Sequence, residues 1–266
     1  MRYLGICAII KDETPFLAEW VAYHMHLGAE AFYLYDNRSE VPVADTLAGF
    51  SRMRTNVLLH VYNAPGRAMQ MPVYNHCINE QDGACRWIAF IDLDEFIVPK
   101  PVDTIPALLE EYEAHAGLAL SWKTFGSNGH KARPQGLQIE NYTRALEDGH
   151  SRHTLVKSIV NPRAVKFFFN PHMCLLKEPD QHIVTEEHEP IAVAERPRPT
   201  WEKAQINHYY YRSRQDFALK MQKPRASVFA PKTQPPSLVP PEGDVTDISA
   251  LRFAPGVREI LARAGC

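Results

Sequence analysis

The sequence predicts an α/β fold built on a mostly parallel central sheet. Strand-like and helix-like patterns alternate over the first hundred residues. Their order is βαβαβαβ, in which each strand is joined to the next by a helical crossover. The strand-like runs are apolar enough to be buried, as a sheet covered by helices requires.

The elements follow in order. "YLGICAII" (3–10) reads as a buried strand, and "TPFLAEWVAYHMHLG" (14–28) as a helix with Pro15 in its first turn and Gly28 at its end. "AFYLY" (31–35) is a second strand and "VADTLAGF" (43–50) a short helix. "TNVLLHVY" (55–62) is a third strand, and "MQMPVYNHCINEQ" (69–81) is helical around or after Pro72. "RWIAFID" (86–92) is the fourth strand. After Pro99 the pattern changes: a helix over 104–116, a strand over 117–125, then the loop "GSNGHKARPQG". Residues 155–212 read as short strands and irregular loops. "SRQDFALKM" (213–221) is a helix opening on Ser213 with Asp216 three residues on, a capping-box pattern. The six prolines of residues 223–244 predict an extended segment, and "VREILARAG" a terminal helix.

Composition narrows the function classes. A net charge of −2 leaves no broad basic face for nucleic acid, so nucleic acid is not expected as a partner. The five cysteines (7, 77, 85, 174 and 266) are odd in number and none is spaced C-x-x-C, which argues against a disulfide framework or zinc cage. Reduced thiols and a cytoplasmic setting are the simpler expectation. The apolar run of "MRYLGICAIIKDE" is too short for a signal peptide and closes on Lys11-Asp12-Glu13. No run of about 18 apolar residues is present to span a membrane. Peripheral attachment to a membrane, at its inner face, stays open.

The most informative stretch is "CRWIAFIDLDEFIVPK" (85–100). Asp92 and Asp94 stand where a greasy strand ends, and carboxylates there need a cation, a proton or a donor. Ligands of parallel α/β sheets bind beyond the carboxyl ends of the strands. Were the chain to stay extended, the two aspartates would share a face about 7 Å apart. Two such carboxylates suit a hard divalent cation that also takes phosphate oxygens. The competing reading is a capped turn. Glu95 is either a supporting hydrogen-bond acceptor or a surface residue.

Together these residues resemble glycosyltransferase family 92 and related family-2-like transferases. The resemblance is carried in order by "KDETPFLAEWVAYHMHLGAEAFYLYDNRS", "WIAFIDLDEF", "SWKTFGSNG", "KSIVNP" and "NHYYYRSRQDFALK". It implies a GT-A fold, with a Rossmann-like nucleotide-sugar half (1–100) and an acceptor half (101–222) in one domain, followed by 223–266. It also implies a nucleotide-diphosphate sugar, usually a UDP-sugar, a carbohydrate or glycoconjugate acceptor, a divalent cation (Mn2+ or Mg2+), and inversion at the anomeric carbon. Synthesis of a cell-surface polysaccharide is the expected setting.

The resemblance distributes roles. Asp12, Glu13, Asp36 and Asn37 follow the first two strands, where the nucleotide would bind. Asp36 is expected to accept the uracil N–H, against an Asx turn. Arg38 is either a phosphate contact or simply exposed. Asp92 and Asp94 are the expected metal ligands, with His208 and His172 competing to be the third. Lys157, Arg212 and Lys220 are candidates for neutralising the departing diphosphate. Inversion needs a base on the acceptor hydroxyl, and "TEEHEP" offers Glu186, Glu187 and Glu189, of which Glu187 is the candidate. His24, one helical turn from Trp20, reads better as a packed residue. The glycine-rich "GSNGH" is either a sugar-approaching loop or a plain turn. Two other classes remain: a haloacid-dehalogenase-type phosphatase, which also places Asp-x-Asp after a strand, and a non-catalytic nucleotide-sugar-binding protein.

Overall fold

A computed structural model describes residues 1–222 and 239–266 of the 266-residue chain. The first hundred residues give β1 (Arg2–Ile10), α1 (Thr14–His26), β2 (Ala31–Asp36), α2 (Val43–Thr46), α3 (Ala48–Arg52), β3 (Leu58–Asn63), α4 (Gln70–Glu80), β4 (Cys85–Phe90) and β5 (Glu95–Pro99). Then come α5 (Ile105–Leu109), β6 (Gly117–Thr124), α6 (Gln138–Asn141), β7 (Arg144–Ala145), β8 (Val156–Val160), β9 (Val165–Phe168) and β10 (Cys174–Leu176). The remainder is β11 (Ile183–Val184), β12 (Pro190–Ile191), β13 (Ala204–His208), α7 (Arg214–Gln222), β14 (Val245–Thr246) and α8 (Ala254–Ala264).

The central sheet has the order β12-β11-β6-β8-β4-β1-β2-β3, with β13 joining β6 to β5. β3, β2, β1 and β4 run parallel. β8 is antiparallel to both β4 and β6, so β6 points the same way as β4. β13 is parallel to β6. The carboxyl ends of β1, β2, β3, β4, β6 and β13 therefore share one edge. This is the expected α/β architecture with a mostly parallel sheet. The order reverses between β1 and β4, which makes a switch point and opens a crevice at that edge.

Alternation within each strand splits the core into two faces. Leu4, Ile6, Ala8 and Ile10 of β1 pack with Leu17, Trp20 and Val21 of α1. Cys7 and Ile9 pack on the other face with Val73, Tyr74 and Cys77 of α4. Both faces are covered, which is why the strands are apolar throughout.

The helix expected over 104–116 is shorter. Thr104 Oγ accepts the Ala107 N–H and α5 begins, but it tightens to a 3-10 turn over Glu110–Tyr112. Glu113 is instead drawn to Arg86, at 2.8 and 2.5 Å. Most of the predicted extended segment, residues 223–238, lies outside the described residues. Residues 239–266 pack against the body. α8 lies on α1 so closely that a Cβ on Gly256 would stand 2.1 Å from the His26 ring. Ser127 and Asn128 donate to the Pro241 and Glu242 carbonyls at 2.7 and 2.9 Å. A Cβ on Gly126 would sit 2.3 Å from the Glu242 carbonyl carbon, so this glycine of "GSNGH" makes room for the C-terminal segment. No helix among the described residues is long and apolar enough to cross a membrane.

Candidate active site

At the carboxyl edge lies a cleft of about 500 Å³, whose walls include Lys11, Glu13, Asn37, Arg67, Gln70, Asp92, Asp94, Trp122, Arg152, His172, His208, Tyr210 and Lys220. The carboxylate motif forms its floor. The chain does not stay extended there. The Glu95 N–H donates to the Asp92 carbonyl at 3.0 Å, and the Glu95 carboxylate accepts the Asp92 N–H at 2.8 Å. Residues 92–95 are thus a turn closed from both sides by Glu95, which settles that residue as a buried support.

The two aspartates have different surroundings. Asp92 accepts from Gln70 at 2.8 Å and from Lys157 at 3.2 Å. Lys157 is fully buried and also reaches Glu95, Tyr74 and the Pro171 carbonyl. Burial alone would push the Lys157 ammonium down, but Asp92 and Glu95 outweigh it and hold it well above the usual lysine range. Burial pushes the Glu95 carboxyl up, and the nearby Asp92 and Asp94 add to the rise. Its Oε1 has no partner among the described residues.

Asp94 carries the Lys220 ammonium on Oδ2, with His208 Nε2 3.6 Å away. Burial would raise its carboxyl, but Lys220 and His208 hold it well below the usual carboxylate range. The Asp94 carbonyl also accepts the Tyr209 N–H at 2.8 Å, which ties the end of β13 to the turn. His208 packs its ring 4.1 Å from that of Trp122, and burial pushes its pKa down despite Asp94. Its Nδ1 is buried without a partner among the described residues, and the Asp94 carboxylate beside Nε2 favours the proton there.

His172 enters from the loop between β9 and β10. Its Nδ1 lies 2.8 Å from the Val156 carbonyl. A carbonyl only accepts, so Nδ1 carries the proton and Nε2 keeps its lone pair. Burial and the neighbouring Lys157 push its pKa down to about 4. No carboxylate partner of its ring is found among the described residues, which separates it from His208.

Other expected residues are placed differently. Glu13 lines the cleft and accepts from Arg212 at 2.6 Å, while Arg212 also bonds Gln138 and the Leu93 carbonyl. Asn37 lines the cleft and donates to the Ala64 and Gly66 carbonyls. The Asp36 carboxylate is spent on the Ser39 and Val43 N–H groups, and Asp12 on that of Glu40. Both hold the loop after β2 and neither is a cleft wall. Arg38 is exposed. His24 is fully buried between the Trp20 carbonyl and the Ile97 N–H, a packed residue.

Glu187 must be removed from the site. The "TEEHEP" turn sends Glu186 inward to accept the N–H groups of Glu202, Lys203 and Ala204, each at 2.9 Å. Glu187 and Glu189 then point out and pair with Arg196. Conversely, Gln70, Lys11, Arg67 and Arg152 line the cleft and were not singled out from sequence. Arg152 lies over the rings of Tyr210 and Tyr211 at 4.7 and 5.3 Å. Only Lys11 carries a positional signal, directly after β1; Arg67 lies in the loop after β3, Gln70 opens α4 and Arg152 lies in the 3-10 turn before β8.

Among the described residues no three His, Cys, Asp or Glu side chains stand close enough to hold a metal ion alone. The donor pair that does converge is Asp94 and His208, an ionised carboxylate and a neutral imidazole. That set fits a cation completed by phosphate oxygens and water.

Comparison with known proteins shows a family. Residues 2–235 match the profile of glycosyltransferase family 92. A glycosyltransferase family 92 protein of Ricinus communis is 32% identical over 165 residues, 60% of this chain and 29% of that protein. One of Oryza sativa subsp. japonica is 29% identical over 163 residues, 60% of this chain and 27% of that protein. The chain's match thus spans less than a third of these relatives. Among solved structures, S. aureus TarS 1-349 aligns with 83% of this chain and 64% of its own, at 11% identity and a TM-score of 0.43. Because the profile runs from the first strand past the helix that carries Lys220, the chain belongs to glycosyltransferase family 92.

Proposed function

We propose that this chain transfers a sugar from a nucleotide-diphosphate donor, a UDP-sugar, to a hydroxyl of a glycan or glycoconjugate, with inversion and with a divalent cation. The observation that carries the reading is the turn at the switch point, where Asp94 meets His208 beside Asp92. Four basic residues, Lys11, Arg67, Arg152 and Lys220, line the same cleft against three carboxylates, a balance that suits a diphosphate.

Asp94 and His208 would hold Mn2+ or Mg2+, which supplies charge to offset the departing diphosphate. Lys220 is placed to move from Asp94 onto the phosphates. Lys157 holds the Asp92 carboxylate from beneath. Glu13 and Asn37 stand at the nucleotide end of the cleft. With Glu187 outside, His172 is the group whose free Nε2 is available to take the acceptor's proton. Neutral groups at pH 7 are required of both histidines, and their lowered pKa values supply them.

The test is turnover of a panel of nucleotide sugars by the purified chain, with manganese and with a chelator. Release of nucleoside diphosphate from one donor, dependent on the metal, is expected. Hydrolysis of a generic phosphomonoester instead would favour a phosphatase, and nucleotide binding without any turnover would favour a binding protein.

A further inference from the structure

The hairpin of β9 and β10 stands apart from the central sheet. Its inner side is fixed to the body. Phe168 packs on Phe90 and Tyr74, with ring centroids 4.4 and 5.3 Å apart. The Asn75 side chain bonds both the N–H and the carbonyl of Phe168, at 2.7 and 3.0 Å. The hairpin is therefore a rigid platform.

Its outer side is apolar and uncovered. Phe167 is 41% exposed, Phe169 52% and Leu175 43%. Leu175 is the cross-strand partner of Phe167, and Phe169 lies two residues along, so the three form one patch. Among the described residues no other Phe, Tyr or Trp is exposed. Scattered aliphatic side chains on a surface need no explanation, but two aromatics side by side do.

The charge nearest the patch favours an anionic cover. Residues 161–180 contain Arg163, Lys166 and Lys177 against Glu178 and Asp180, all exposed, and the two carboxylates both lie beyond Lys177, outside the stretch that carries Phe167, Phe169 and Leu175. This lies in a chain of net charge −2. Lysine is depleted from protein interfaces, whereas aromatics ringed by Lys and Arg suit the boundary of a bilayer. The rings insert among the upper acyl carbons and the cations stay with anionic headgroups.

We propose that the β9–β10 hairpin docks this chain on an anionic lipid bilayer, with Phe167 and Phe169 inserted and Arg163, Lys166 and Lys177 on the headgroups. The same hairpin's loop carries Pro171 and His172 into the cleft wall, so docking holds the cleft mouth at the membrane. The proposal does not depend on glycosyl transfer.

Vesicle co-sedimentation of the full chain tests it. Binding is expected to phosphatidylcholine vesicles containing phosphatidylglycerol, little to phosphatidylcholine alone, and release at high salt. Phe167→Ser with Phe169→Ser weakens binding by roughly tenfold or more. Lys166→Glu with Lys177→Glu weakens it by about fivefold per cation. Both variants should melt like the wild type, because the replaced side chains are exposed. Failure of the wild type to bind acidic vesicles overturns the proposal, as does binding that both variants retain. A wild-type dimer that the serine pair turns into a monomer also overturns it, and assigns the patch to a second copy of the chain.

Discussion

Asp92 and Asp94 are two residues apart, yet each meets its lysine under opposite conditions. Asp92 is 35% exposed and its partner Lys157 is sealed in the core at 0%. Asp94 is 12% exposed and its partner Lys220 is at the surface, at 22%. Lys157 has four oxygen partners besides the cost of leaving, so its charge is a permanent part of the framework. Lys220 covers Asp94 from α7 and also lies over the Tyr210 ring. The difference supports the proposed division, in which one aspartate of the motif serves the scaffold and the other the ligand. A cation gains less at Asp92, which already has a fixed counter-charge, than at Asp94, whose cover can be exchanged.

The largest effect that would break this comparison is on stability. Lys157→Ala leaves Glu95 and Asp92 without their cation and is expected to cost about 3–5 kcal/mol. For a chain of this size that is a melting temperature roughly 10 °C lower. Adding Glu95→Gln should recover part of the loss, since a neutral amide leaves no buried charge unpaired. A Lys157→Ala protein as stable as wild type would deny Lys157 its framework role.

The histidines sharpen the ligand side. His208→Ala should weaken manganese binding by about ten- to a hundredfold. His172→Ala should leave that affinity within about threefold yet lower kcat by about a hundredfold or more. Calorimetry of metal binding beside steady-state kinetics separates the two, and equal loss of metal affinity in both would merge their roles.

Glu19 shows what a buried carboxylate does without a lysine. It accepts the Gln138 and Ile139 N–H groups, yet burial pushes its pKa up to about 7. A raised folded-state pKa contributes stability that is full below the unfolded value, near 4.5, and is lost as pH rises to about 7. Glu19→Gln should therefore remove a loss of about 3 kcal/mol from the wild-type pH–stability curve over that window. An unchanged slope in denaturant melts would contradict it. Smallest of all, Glu187→Ala is expected to change turnover by less than about twofold, because the residue is exposed and outside the cleft.

Much of this arrangement was legible in the sequence, and the misses have physical causes. β1 to β4 follow one another along the chain, so local periodicity and crossover order were enough to place the carboxylate turn. The second half pairs out of order: β8 inserts antiparallel between β4 and β6, and β13 bridges β6 and β5. No local pattern encodes such pairing, and His208, Lys157 and Lys220 were reached only through resemblance. Gln70, Arg67 and Arg152 stayed hidden because tertiary packing decides which polar residues a loop turns inward. "TEEHEP" failed for the same reason. Its glutamates look alike until the backbone of residues 202–204 claims Glu186. The capping-box pattern at Ser213 held in part: Ser213 Oγ accepts the Asp216 N–H at 3.1 Å, but the Asp216 carboxylate takes the hydroxyl proton at 2.6 Å.

The central claim is that Asp94, rather than Asp92, is the metal-facing carboxylate. Calorimetric titration of uridine diphosphate with manganese into wild type, Asp92→Ala and Asp94→Ala tests it most directly. The account predicts metal-dependent binding that falls by about a hundredfold in Asp94→Ala and far less in Asp92→Ala. Wild-type affinity in Asp94→Ala, or an equal fall in both variants, would contradict it.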